Sequence, residues 1–159
     1  MSPDEAFILK LAEAISAARL EALIVDSTAA ALHGAPVMTL DVDLLVRDTP
    51  RNREKLVDLS ARLGATRPQP ISELTTVVEI IGAEMKVDIL FDSISGGLSF
   101  HALRARSERI AIGKHSVLVA SLADIIRSKK AAGRLKDKAL LPILEATLRV
   151  KREVEKKRQ

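Results

Sequence analysis

Residues 40–46 read Leu40-Asp41-Val42-Asp43-Leu44-Leu45-Val46, an apolar run that two aspartates interrupt. The run predicts a strand over Asp41 to Val46. Because side chains alternate between the two faces of a strand, Asp41 and Asp43 share one face while Val42 and Leu44 enter the core. Two like charges at such a short distance repel each other, and aspartate is disfavoured in strands. A bound cation therefore explains the pair more easily than a contribution to stability does.

A third aspartate interrupts another apolar run, Lys86-Val87-Asp88-Ile89-Leu90. Three converging carboxylates suit one or two hard cations, Mg²⁺ or Mn²⁺, which prefer oxygen ligands and keep water or phosphate oxygens in their shell. In the structural alternative, Asp41 caps the strand end, Asp43 pairs with a lysine or arginine, and Asp88 faces solvent. Asp-x-Asp is a common chance match, so spacing alone leaves both interpretations open.

Helices and strands are expected to alternate on either side of this strand. Helices are expected at residues 2–19, 27–32, about 48–63 and 121–132, and again from residue 135 onward. A short strand is expected at residues 22–25, and hairpins at residues 75–90 and 108–119, while residues 94–106 are ambiguous. Pro142 is expected to end or kink the last helix, because an interior proline costs about 3 kcal/mol.

This order indicates one α/β (α+β) domain over residues 1–159, with a mixed sheet flanked by helices and a basic C-terminal helical segment. Hydrophobic residues make up 47% of the chain, which is enough for a sizeable core. The chain has three phenylalanines and no tryptophan or tyrosine, which argues against single-strand nucleic-acid binding by base stacking.

The absence of cysteine excludes disulfides, thiol catalysis and cysteine metal sites, and it fits a reducing compartment. The N-terminus lacks the features of a signal peptide, and no stretch approaches the ~20 apolar residues of a membrane span. The expectation is a cytoplasmic protein without a membrane partner.

The whole chain has a net charge of +4, and its positive charge is concentrated in the C-terminal third. Residues 127–138 carry Arg127, Lys129, Lys130, Arg134, Lys136 and Lys138, and residues 149–159 carry six further basic residues. Such a surface can bind phosphates. A solvated helix face with a frayed end is the alternative.

Residues 24–46, which run from Ile24-Val25-Asp26-Ser27 to the Asp-x-Asp strand, resemble the nucleotidyltransferase superfamily with its polymerase-β-like fold. They are most similar to small bacterial members linked to abortive infection and toxin–antitoxin systems. In that family an apolar residue and Gly precede a Gly or Ser that opens a helix. An Asp-x-Asp strand follows about a dozen residues later, and a third acidic residue lies on a later strand. Residues 121–137 resemble the family's closing helical segment.

The resemblance implies transfer of a nucleoside monophosphate from an NTP to a hydroxyl, with release of pyrophosphate. It implies that Asp41, Asp43 and Asp88 are catalytic and hold the metal, with Asp88 also taking the acceptor's proton. The implied nucleotide-binding residues are Ser27, Asp26, Thr39, Lys129, Lys130, Arg134 and Lys136. The implied acceptor is an RNA end, a protein or a small molecule such as an aminoglycoside, and a cognate toxin or antitoxin is an implied partner.

The chain departs from the family pattern at Asp26, where relatives usually have Gly. Asp26 adds bulk and negative charge where the phosphates would bind, and two unit charges ~4 Å apart interact by about 4 kcal/mol near a protein surface. Alternatively, Asp26 caps the helix and faces away. Val37 and Met38 also stand where many relatives have a basic residue.

Two other functions remain open for the chain. One is a catalytically inactive binding or regulatory protein of the same fold, which Asp26 favours. The other is an RNA-binding protein that uses the basic C-terminal third. Among the histidines, His33 is interpreted as a cap of a helix dipole, while His101 and His115 lack partners at ligand spacing and are assigned no role.

Overall fold

The computed structural model describes residues 2–70 and 76–158. Its helices are α1 (Pro3–Ala18), α2 (Asp26–Leu32), α3 (Pro50–Arg62), α4 (Phe100–Arg106), α5 (Leu122–Ala132) and α6 (Leu135–Lys157). Its strands are β1 (Leu23–Val25), β2 (Asp41–Val46), β3 (Gln69–Pro70), β4 (Val78–Ile80), β5 (Lys86–Phe91), β6 (Ser93–Ile94), β7 (Leu98–Ser99), β8 (Glu108–Ile112) and β9 (His115–Val119).

A mixed seven-stranded sheet with the order β3-β4-β5-β2-β1-β9-β8 forms the centre of the fold. Strand β2 runs parallel to β5 and antiparallel to β1, and β1 runs parallel to β9. The pairs β3–β4, β4–β5 and β8–β9 are antiparallel, while β6 and β7 form a separate two-stranded sheet. The predicted mixed sheet flanked by helices is confirmed.

The core is aliphatic, as the composition requires. Ile24, Leu44, Leu45 and Ile89 from the central strands are at most 1% exposed. Helices α1 and α3 pack against each other, and α5 packs against α6. Because β2 and β5 lie in the middle of the sheet, polar groups on these strands are held in fixed positions.

Polar caps begin several helices where the sequence predicts them. The Ser2 hydroxyl accepts a hydrogen bond from the Glu5 amide, the Thr49 hydroxyl accepts one from Asn52, and the Ser121 hydroxyl accepts one from Asp124. These bonds satisfy amide groups that a helix leaves unpaired in its first turn. The predicted starts of α1, α3 and α5 are confirmed.

Of the two effects expected of Pro142, an end or a kink of the last helix, the end is wrong, because α6 continues through Pro142 to Lys157. Contacts beyond the proline hold the second half of the helix. Leu144 is buried, and further along the helix the Lys151 ammonium bonds to His33 and Glu108. These contacts offset the one backbone hydrogen bond that a proline removes.

Both predicted hairpins are present, as β4 with β5 and β8 with β9. The first is shorter than predicted, and its expected first residue, Thr75, lies outside the described residues. The ambiguous segment 94–106 contains part of β6, all of β7 and helix α4. In the described part of the chain, no helix is long and apolar enough to cross a membrane.

Candidate functional site

Strand register brings the predicted carboxylates to one face of the sheet. Asp43 in β2 lies directly opposite Asp88 in the parallel strand β5, and Asp41 lies opposite Lys86. Paired residues of neighbouring strands point to the same face, as do residues two apart in one strand. Asp41, Asp43 and Asp88 therefore share a face, as the alternation pattern predicts for the first two.

Two residues that the sequence analysis did not single out share this face. Glu79 in β4 lies opposite Asp88. The Lys86 ammonium lies 3.6 Å from Asp88 Oδ1 and 3.9 Å from both Asp41 Oδ2 and Glu79 Oε2. Alternation along β5 predicts that Lys86 shares the face of Asp88, because the two residues are two positions apart. The position of Glu79 on that face follows only from the register of the hairpin.

Asp26 lies at the start of α2 and points toward the carboxylates. Its backbone has a φ of 60°, in the left-handed region that favours glycine, the residue that the resemblance implies at this position. Its carboxylate bonds to the Lys129 ammonium and to the Asp43 carboxyl. The alternative in which Asp26 caps the helix is wrong, because Val25 is the N-cap residue and the helix has no side-chain cap.

The contact between Asp26 and Asp43 separates the pKa values of the two acids. Burial of Asp43, its hydrogen bond to Asp26 and the charges of Asp26, Asp88 and Asp41 raise its pKa to about 8. Burial opposes ionisation of Asp26, but the bond and the charge of Lys129 outweigh it and lower the pKa of Asp26. The two acids therefore titrate as a pair, and the raised pKa of Asp43 together with the lowered pKa of Asp26 favours a shared proton on Asp43.

Asp88 contributes an oxygen without a hydrogen-bond donor. Among the described residues, Asp88 Oδ1 is the one buried side-chain polar atom that has no hydrogen-bond partner. Burial raises the pKa of Asp88, and the charges of Asp41 and Glu79 add to this against the opposing effect of Lys86. Such an oxygen is suited to accept a proton or to bind a cation.

A cleft of about 770 Å³ runs along this face. The predicted site residues in its lining are Asp26, Ser27, Thr39, Asp41, Asp43, Asp88, Lys129, Arg134 and Lys136. Lys130 is absent from the lining and pairs instead with Glu145 in α6, at 3.2 Å.

The basic residues of the cleft are mostly bonded to carboxylates. Lys129 is 6% exposed and contacts Asp26 and Asp137. Arg134 Nε donates to Asp137 at 2.7 Å. Lys136 is exposed and has no hydrogen bond or ion pair to any residue that the structure describes. Of the four predicted phosphate-binding cations, Lys136 is therefore the one whose charge is not already compensated.

Three solved structures share this arrangement of helices and strands. A candidate nucleotidyltransferase, TM1012 from Thermotoga maritima, is 17% identical over 89% of this chain and 93% of that one, with a TM-score of 0.62. The solution structure of the antibiotic-resistance factor ANT(2'')-Ia is 15% identical over 98% of this chain and 92% of that one, with a TM-score of 0.63. Its crystal structure in complex with adenylyl-2''-tobramycin is 15% identical over 99% of each chain, with a TM-score of 0.66.

The chain has the nucleotidyltransferase fold. The fold therefore agrees with the resemblance of residues 24–46. No family model matches the chain, and no curated protein matches its sequence.

Members of the nucleotidyltransferase fold generally use divalent metal, and the residues of this cleft fit such an ion in part. In residues 2–70 and 76–158, no three acidic or histidine side chains form a complete metal-binding group. The oxygen ligands nevertheless suit a hard cation. The buried Asp88 Oδ1 has no hydrogen-bond partner in this part of the chain, and the charges of three neighbouring carboxylates oppose the ionisation of Asp43, which a cation would favour. Phosphate oxygens and water commonly complete the shell of Mg²⁺.

His33 lies outside this cleft of the nucleotidyltransferase fold. It is the C-cap residue of α2, and its ring donates from Nε2 to the Ala120 carbonyl at 2.8 Å. Nδ1 lies 2.8 Å from the Lys151 ammonium and 3.0 Å from Glu108 Oε2. Burial lowers the pKa of His33. These contacts connect α2 to β8, to Ala120 directly after β9, and to α6, which is a structural role rather than that of a base.

The pKa of Asp43 predicts how stability depends on pH in metal-free buffer. Because folding raises this pKa from about 4 to about 8, the stabilisation is complete below the unfolded value and is lost as pH rises toward about 8. The loss is at most about 1.4 kcal/mol per pH unit. Asp43→Asn should not show it, so the melting temperature of the variant minus that of wild type should grow by about 5 °C or more between pH 5 and pH 8.

Thermal melting followed by circular dichroism in EDTA-containing buffer measures this difference. Asp58→Asn is a matched control, because Asp58 is an exposed residue of α3 that pairs with Arg62. A difference in melting temperature between Asp43→Asn and wild type that stays constant from pH 5 to pH 8 would show that Asp43 ionises normally.

Proposed function

We propose that the chain transfers a nucleoside monophosphate from an NTP to a hydroxyl acceptor. The observation that carries the proposal is that one cleft is lined both by the carboxylates Asp41, Asp43 and Asp88 and by Ser27 and Lys136. A cleft that combines a cluster of acidic side chains with Lys136, a lysine unpaired among the described residues, suits a triphosphate that arrives with a divalent cation.

The residues have distinct roles in this reaction. The acceptor oxygen forms a bond to the α-phosphorus, the bond from that phosphorus to the bridging oxygen breaks, and pyrophosphate leaves. Asp88 takes the proton of the acceptor hydroxyl, for which its raised pKa is suited. Asp41, Asp43 and Asp88 would hold Mg²⁺ or Mn²⁺, which would stabilise the developing charge on the phosphates. Ser27, Thr39 and Lys136 bind the nucleotide.

The acceptor is proposed as an RNA end, a protein or a small molecule, and a role as a toxin–antitoxin component with a cognate partner belongs to the same proposal. Incubation with each α-labelled NTP and Mg²⁺ or Mn²⁺ tests it, in parallel with total RNA, cell protein and an aminoglycoside. Label transferred to one acceptor class, and lost in EDTA, is the expected result. No transfer with any NTP and acceptor would contradict the proposal.

The second candidate is a binding or regulatory protein of the same fold without catalytic activity. The observation that favours it is the bond between Asp26 and Lys129, which places a carboxylate in the cleft and commits a cation that could otherwise bind phosphate. In this case calorimetric titration with NTP and Mg²⁺ should show no heat of binding. RNA binding that needs no NTP and weakens steeply with salt would instead favour an RNA-binding protein.

A further inference from the structure

Lys86 occupies the position of a cation among the acidic side chains of the sheet face. Its ammonium is surrounded by Asp88 at 3.6 Å, Asp41 at 3.9 Å and Glu79 at 3.9 Å. These three carboxylates come from three adjacent strands, β2, β5 and β4. A single lysine therefore compensates the charge that the paired strands bring together.

The lysine is held loosely. All three nitrogen–oxygen distances exceed those of ordinary hydrogen bonds, which run from about 2.7 to 3.2 Å. The Lys86 side chain is 39% exposed, and its four-carbon stem allows the ammonium to move toward solvent without a change in the backbone. Asp88 Oδ1 consequently remains without a hydrogen-bond donor even with the ammonium nearby.

A divalent cation and the Lys86 ammonium cannot both be close to the same oxygens without strong repulsion. Mg²⁺ binds oxygen at about 2.0–2.1 Å, much closer than the ammonium lies. Two of the three carboxylates around Lys86 are those that the proposed function assigns to metal, Asp41 and Asp88.

We propose that Lys86 is a displaceable internal counter-ion, which neutralises Asp41, Glu79 and Asp88 and must leave them when a divalent cation binds. The inference rests on the proposed function for the identity of the cation. Lys86 thereby weakens metal binding to the protein alone, so that the cation is retained mainly when a triphosphate supplies further oxygen ligands.

Titration of the nucleotide-free protein with Mn²⁺, followed by electron paramagnetic resonance of the free ion, tests this proposal. Lys86→Met should bind Mn²⁺ about tenfold or more tightly than wild type, because the competing charge is gone. Lys86→Arg keeps the charge and should remain weak. Lys114→Met removes an equal charge from the β8–β9 turn, outside the cleft, and should leave the affinity unchanged.

Unchanged or weaker Mn²⁺ binding by Lys86→Met would overturn the proposal. If that variant does not fold, the wild type supplies the test through reductive methylation of its lysines with a ¹³C label. The Lys86 resonance should then shift on addition of Mg²⁺ and not on addition of NaCl at equal ionic strength, and a resonance insensitive to Mg²⁺ would overturn the proposal.

The titration contains no NTP, so its outcome is separate from that of the transfer assay. Tighter Mn²⁺ binding by Lys86→Met without any label transfer would support the counter-ion and contradict the proposed activity. Label transfer by wild type together with unchanged binding in the variant would support the activity and overturn the counter-ion.

Discussion

Asp88→Asn is expected to reduce nucleotidyl transfer about 1,000-fold while the protein remains folded. General-base catalysis typically contributes about 10²–10⁴-fold, and an amide cannot take the proton of the acceptor hydroxyl. The amide also replaces the buried Oδ1 that lacks a donor, so one oxygen ligand of the proposed cation is lost with it. The measurement is the initial rate of label transfer from the preferred NTP, with wild type and variant at equal concentration.

Thermal melting in metal-free buffer separates a catalytic effect from unfolding. Removing one of several repelling carboxylates should leave the melting temperature unchanged or raise it. Glu79→Gln is the matched control, because Glu79 lies directly opposite Asp88 and contacts the same Lys86 ammonium but does not line the cleft. Equal loss of activity in both variants would assign the effect to the charge of the sheet face rather than to Asp88.

Asp26→Gly is expected to increase NTP affinity about tenfold or more. The substitution removes a negative charge from the cleft where phosphates would bind, and at ~4 Å such a repulsion is about 4 kcal/mol at a protein surface. It also places glycine at a backbone φ of 60°, where glycine is unstrained. Calorimetric titration with NTP and Mg²⁺ reports the change, and unchanged affinity would show that this carboxylate does not oppose the phosphates.

The same substitution should lower stability more than the removal of a helix cap would. Asp26 is a partner of Lys129, which is buried and would keep, among the described residues, Asp137 at 3.4 Å. Breaking a buried pair costs about 3–5 kcal/mol when a charge is left alone, and the remaining partner reduces this loss. Asp26→Asn is the control, because it tolerates the positive φ, can still accept from Lys129 and removes only the charge.

Local signals in the sequence were sufficient for much of the fold. The bounds of β2 follow from its apolar run, and the starts of α3 and α5 follow from Thr49 and Ser121, whose hydroxyls cap the next turn. Alternation along β2 placed Asp41 and Asp43 on one face. These features depend on residues only a few positions apart in the chain, so a local sequence pattern contains both partners.

The remaining features depend on pairs that are distant in the chain. Glu79 meets Lys86 and Asp88 only through the register of β4 on β5, and Lys129 meets Asp26 across 103 residues. No periodicity encodes either contact. Pro142 shows the same limit, since the local preference to end a helix is outweighed by contacts of Lys151 with His33 and Glu108.

The positive φ of Asp26 also bears on how the chain can evolve. The codons of aspartate and glycine differ at a single base, as do those of aspartate and asparagine, so both substitutions are within one mutation of this gene. Asp26, the first residue of α2, already has the backbone conformation that glycine prefers, so the substitution needs no change of the backbone there, although it removes the ion pair with Lys129. The substitution that is expected to strengthen NTP binding is therefore a single base change away from the present sequence.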